Sequence, residues 1–141
     1  MALLKLQQPV TKIQPIPLIT DVDTNNFFNT NNALISGWGD TAQGSGKGSD
    51  DLLYTSVQLV PNATCNVPYK GKVINGMICA TAHNADSCQG DSGGPLAVFG
   101  KDKKLYEEGI VSWGIGCAQA GFPGVYVSIP TYAAWINEHV K

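Results

Sequence analysis

Apolar positions along the chain fall in short runs: "ALLKL" (2–6), "PIPLI" (15–19), "ALISGW" (33–38), "LLYTSVQLV" (52–60), "MICA" (77–80), "PLAVFG" (95–100), "LYEEGIVSWG" (105–114) and "GVYVSI" (124–129). Each is bounded by Gly, Pro, Asn or Asp, the punctuation of strands joined by tight turns. Many short strands with no helical period between them predict an all-β sandwich or barrel. Two helices are added to it. "PNATCNVPY" starts a short one with Asn62 as its N-cap. The closing "PTYAAWINEHVK" places Thr131 to cap and puts Tyr132, Trp135, Ile136 and Val140 on one face, so an amphipathic helix is expected to lie on the strands. The glycine-rich "DTAQGSGKGSDD" reads as a mobile surface loop.

Composition narrows the class. A chain of 141 residues suits one modest domain with a real core, and 43% hydrophobic against 14% charged residues places it among globular proteins. A net charge of −2 argues against a nucleic-acid partner. No apolar run approaches the roughly 18 to 20 residues that cross a bilayer, so no membrane partner is expected either. The opening "MALLKLQQPV" is too short in its apolar part to be a secretory signal. Cys65, Cys79, Cys88 and Cys117 form an even set without a CxxC pair. That pattern disfavours a zinc site, and neither metal nor cofactor is expected; two disulfides, with three pairings open, or reduced core cysteines remain. Asn62-Ala63-Thr64 is an N-glycosylation acceptor, a triplet that also arises by chance.

The chemistry concentrates in "DSCQGDSGGP", residues 86–95. A serine hydroxyl is a poor nucleophile at neutral pH and needs a base beside it, with donors facing the oxyanion that forms after attack. Gly90 can bring its backbone N–H to a substrate carbonyl without side-chain interference, and the Ser92 N–H can point to the same place. Gly93 and Gly94 permit a tight return before Pro95. Taken alone, the same tetrapeptide is also a good β-turn.

The surrounding motifs decide between these readings. "ALLKL", "LISGWG" (34–39), "DSCQGDSGGP", "GIVSWGIGC" (109–117), "PGVY" (123–126) and the closing "YAAWI" follow the order found in the trypsin-like serine endopeptidases of the chymotrypsin family. The chain resembles the C-terminal half of those enzymes. The resemblance implies the second Greek-key β-barrel of a two-barrel fold with a C-terminal α-helix, over residues 29–141. Residues 1–7 resemble the last strand of the first barrel and residues 8–28 the linker between barrels, so Leu3, Leu4 and Leu6 are expected to lack their core.

Carried over position by position, the resemblance gives Ser92 the nucleophile role and the Gly90 and Ser92 amides the oxyanion hole. Asp86 matches the carboxylate at the floor of the primary specificity pocket, where only Arg or Lys can both reach and neutralise it, and Ser87 adds a hydroxyl there. Gly114 and Gly124 match the pocket walls, and Ser112-Trp113-Gly114 matches the segment that pairs with substrate backbone. Asp91 matches the carboxylate that pairs with the ammonium freed by zymogen cleavage. Cys65–Cys79 and Cys88–Cys117 match two family disulfides, implying an oxidising compartment and secretion of the parent. A further family disulfide is replaced by Ala33 and Val98 together, as expected if that contact persists with apolar packing.

The resemblance also exposes a gap. The family's base is a histidine oriented by an aspartate, both earlier in the chain than the serine. His83 precedes Asp86 on the outer side of the pocket and His139 lies on the closing helix, so neither is expected to serve as the base. Met1 stands one residue after the expected aspartate and is read as an internal residue of a longer parent. The expected function is therefore cleavage after Arg or Lys in the parent, with peptide substrates and protein inhibitors as partners and an inactive isolated chain. The competing class, a pseudoprotease that keeps the pocket only for binding, has no use for Ser92, Asp86 and Gly90 together.

Overall fold

A computed structural model describes residues 1–20 and 32–140. Part of the expected linker, the boundary at residue 29 and the closing Lys141 lie outside the described residues. Six strands form: β1 (Asn32–Gly37), β2 (Leu53–Val60), β3 (Met77–Thr81), β4 (Pro95–Phe99), β5 (Leu105–Trp113) and β6 (Gly124–Ser128). All pair antiparallel into a closed barrel of order β1-β2-β3-β6-β5-β4. The runs expected from the sequence thus become strands from residue 32 onward. "ALLKL" does not: it pairs with no described segment, and Leu4 is 90% exposed, because a strand without a neighbour has no ladder to join. "PIPLI" makes only a parallel bridge, with Ile19 N–H donating to the Glu107 carbonyl and Glu107 N–H to that of Pro17.

Alternation fills the barrel. Ala33 and Ile35 from β1, Val57 from β2, Ala80 from β3, Leu96 and Val98 from β4, Val111 from β5 and Tyr126 from β6 form one core. Ile19 joins them, fully buried, so the bridged segment contributes to the core of the barrel. Ala33 and Val98 are direct cross-strand partners and both are buried, which bears out the apolar replacement expected for this pair.

Helix α1 (Asn62–Tyr69) is held by its buried face rather than by a cap. Cys65 and Tyr69 pack with Val73, Cys79 and Val125. The Asn66 side chain clasps the following loop, donating to the Val73 carbonyl (2.8 Å) and accepting from its N–H (3.0 Å). The expected Asn62 cap is corrected: Pro61 occupies the N-cap, and the Asn62 amide donates instead to the Met77 carbonyl at 2.7 Å. Helix α2 (Ile129–His139) grows directly out of β6 with Ser128 at its N-cap and packs against β5. Thr131 therefore lies inside the first turn, its hydroxyl donating to that of Ser128 (3.0 Å). With the cap three residues earlier than expected, the buried face also differs. Ile129, Ala133 and Ile136 form the buried face, while Tyr132 and Val140 are exposed.

Every connection but one joins neighbouring strands. The exception is residues 82–94, which cross from β3 to β4, strands that do not touch in the barrel. This crossover carries the "DSCQGDSGGP" segment up to Gly94, and its Pro95 opens β4.

Candidate active site

Two disulfides fix the crossover and its neighbourhood. Cys88–Cys117 ties it to the loop between β5 and β6, and Cys65–Cys79 ties α1 to β3. Both pairings are those implied by the resemblance. Backbone bonds clamp the serine turn onto β5: Gly93 N–H donates to the Val111 carbonyl (2.9 Å), Val111 N–H to that of Gly94 (2.9 Å), and Gly94 N–H to that of Asp91 (2.9 Å). Gly90 has φ +99°, and a Cβ there would stand 3.0 Å from Gly39 Cα, so only glycine fits without strain. Ser92 is exposed at the tip. Among the described residues, its hydroxyl has no hydrogen-bond partner, and the Gly90 and Ser92 amides donate to no acceptor.

A cavity of about 210 Å³ opens beside Ser92. Asp86, Ser87, Ser92, Ser112, Trp113 and Gly114 all line it, so the structure brings together residues spread over the crossover and the end of β5. Ser112 reaches it through a bulge: Val111 pairs with Tyr126 and Trp113 with Val125, leaving Ser112 as the extra residue. Trp113 is braced by Tyr69 in an edge-to-face contact, centroids 4.9 Å apart. Tyr69 in turn donates to the Pro123 carbonyl at 2.5 Å.

Asp86 is held by two amides, Ser87 N–H (2.8 Å) and Ala118 N–H (3.1 Å). Burial raises its pKa above the ordinary carboxylate value, the two amides offset part of that rise, and the nearby charge of Asp91 adds to it. Gly124 does not line the cavity. A Cβ there would lie 2.9 Å from Asp86 Oδ1 and 3.1 Å from the Tyr126 hydroxyl, so its bare backbone makes room for the carboxylate rather than for whatever enters. Tyr126, fully buried on β6, lies behind the floor without lining the cavity. Its hydroxyl is 3.5 Å from that of Ser87, and burial pushes its pKa up to about 12, so it stays protonated.

Asp91 lines not this cavity but an adjoining one of about 300 Å³, which shares Asp86, Ser87 and Cys88 with it and is lined also by Gly37, Gly39, Asp40 and Leu53. Its oxygens accept from Gly39 N–H and Cys88 N–H, both at 2.8 Å. Cβ atoms on Gly37 or Gly39 would overlap the carboxylate. These two glycines were visible in "LISGWG" but had no assigned task; they are the seat of Asp91. Among the described residues the sole ion pair is Lys104–Asp102, and Asp91 is held by these two amides.

No histidine lines either cavity. His83 is exposed on the crossover. His139 stacks on Trp135 (4.6 Å) with Nδ1 2.8 Å from the Trp135 carbonyl oxygen.

An antiparallel barrel that presents a serine on a strand-crossing loop, beside a cavity lined by a carboxylate, is consistent with the class of trypsin-like β-barrel proteins. The comparisons agree: the family model described as Trypsin matches residues 1–136, and the chain belongs to that family. It is 49% identical to the anionic trypsin of Bos taurus over 76% of its length, 39% identical to trypsin I-P1 of Gallus gallus over 96%, and 41% identical to trypsin-1 of Astacus astacus over 96%. The chain covers 42%, 53% and 57% of those relatives, about half their length.

Proposed function

We propose that this chain carries the nucleophile and specificity pocket of a secreted endopeptidase that cleaves after Arg or Lys, the histidine and aspartate of the triad belonging to a longer parent. One observation carries the reading: Ser92 and Asp86 line the same cavity, so a cationic side chain reaching the floor leaves its own carbonyl near the serine. The Gly90 and Ser92 amides, uncommitted to other acceptors, are available to receive the oxyanion. Ser112 to Gly114 is available to pair with the substrate backbone, and Asp91 to receive an activating ammonium. Both disulfides are in keeping with an oxidising compartment; among the described residues no helix is long and apolar enough to cross a membrane.

A serine whose hydroxyl has no base remains a weak nucleophile, so the isolated chain should not hydrolyse amides at a triad-dependent rate. Residues 1–28 then belong to the first barrel and its linker to the second. Peptidyl-Arg, -Lys and -Phe amides offered to the parent test the reading. Cleavage of the first two but not the third is expected, and Ser92→Ala should lower kcat by a factor of about 10³ or more. Equal turnover of the Phe amide, or full activity of Ser92→Ala, overturns it.

A further inference from the structure

We propose that Asn62 is an N-glycosylation site. It is the one asparagine in the chain followed by any residue but Pro and then Ser or Thr, and the protease reading gives it no task. The fold presents the triplet openly. Pro61, Asn62, Ala63 and Thr64 are all exposed, at the N-terminal end of α1.

The side-chain chemistry is compatible with the modification. Asn62 Nδ2 carries two hydrogens and uses one on the Met77 carbonyl. Transfer from a lipid-diphosphate-linked oligosaccharide forms a bond between Nδ2 and the sugar's C1 and breaks the C1–O bond to the diphosphate. Nδ2 loses one proton, the lipid diphosphate leaves, and the secondary amide keeps one N–H for Met77. The helix also separates the glycan from the cavity. Asn62 lies seven residues before Tyr69, roughly 10 Å along the helix axis, and Tyr69 is what braces Trp113 at the pocket. A glycan at the start of α1 therefore leaves the pocket open.

The inference rests on the secretory route in the proposed function and on nothing in its catalytic part. The test is expression of the parent in eukaryotic cells, with the protein collected from both the medium and the secretory membranes so that retention hides nothing. Treatment with peptide N-glycosidase should give a discrete downward mobility shift, and the peptide bearing residue 62 should then read aspartate there. Thr64→Ala should abolish the shift, and Thr64→Ser should retain it. Thr64→Ala leaves the Asn62–Met77 bond intact, whereas Asn62→Gln would disturb it, so the threonine variants decide. Protein that carries both disulfides and an unmodified Asn62 overturns the glycan proposal while leaving the secretory reading standing. Reduced cysteines throughout would overturn the secretory reading, and the glycan proposal with it.

Discussion

Asp86 carries its charge where burial works against it, and that tension makes its role measurable. A cation in the pocket needs the ionised carboxylate, so binding should be full above the raised pKa and weaken as pH falls through it. Inhibition of the parent by an arylamidine should therefore begin to fade at a higher pH than an unburied aspartate would dictate, read as Ki against pH. Asp86→Asn should flatten that profile and weaken binding by about 2 kcal/mol or more. Gly124→Ala tests the same carboxylate sterically, since the added methyl meets Asp86 Oδ1 at 2.9 Å. It should lower kcat/KM for Arg and Lys substrates by about tenfold or more while leaving active-site labelling by a small phosphonate largely intact, a split that follows from damage to the floor and not to Ser92.

At the scale of elements, a bulge has placed a carboxyl where no pattern announces it. Leu96 pairs with Gly109 and Ala97 with Glu107, leaving Glu108 as the extra residue of β5, 5% exposed and, among the described residues, with no partner for Oε2. Burial raises its pKa to about 7. A carboxyl raised in the folded state contributes full stability below the ordinary glutamate range, and that contribution is lost as pH climbs from there to about 7. Urea unfolding of the chain between pH 4.5 and 8 should lose up to about 3 kcal/mol from this group, and Glu108→Gln should remove that part of the slope. Removing Cys65–Cys79 as a Cys65→Ala/Cys79→Ala pair should cost about 2–4 kcal/mol by the same assay.

The six barrel strands were legible because each is a short apolar or alternating run set among turn residues such as Gly, Pro, Asn and Asp. The bulges at Glu108 and Ser112 were not, since a period of two contains no sign of an inserted residue. The caps were misread for a related reason. Ser128 ends a strand and caps a helix at once, and the Asn62 amide is claimed by Met77, a partner fifteen residues away that local spacing does not reveal. Ser92, Asp86 and Gly90 could be found because they sit within one contiguous segment. Tyr126 and the Gly37–Gly39 seat reach the site only through the folded barrel.

At the scale of the molecule, the barrel is closed while the described segment ahead of it is largely exposed. Leu4, Leu6, Val10 and Ile13 are exposed ahead of the barrel, while Ile19 is buried in its core. The isolated chain should therefore self-associate through the first segment, and Leu4→Lys with Leu6→Lys should restore a monomer in gel filtration without changing the thermal unfolding of the barrel. Unchanged association in that variant would move the sticky surface elsewhere.

The meeting of Ala33 with Val98 shuts the barrel, because β1 and β4 are the first and last strands of its hydrogen-bonded order. Those strands are remote in sequence, and no local turn can bring them together. Rates fall as contacts become less local, so this junction sets a slow clock for folding. A pair of thiols placed at positions 33 and 98 would be a stopwatch: the delay before they bridge in refolding protein dates the closure of the barrel.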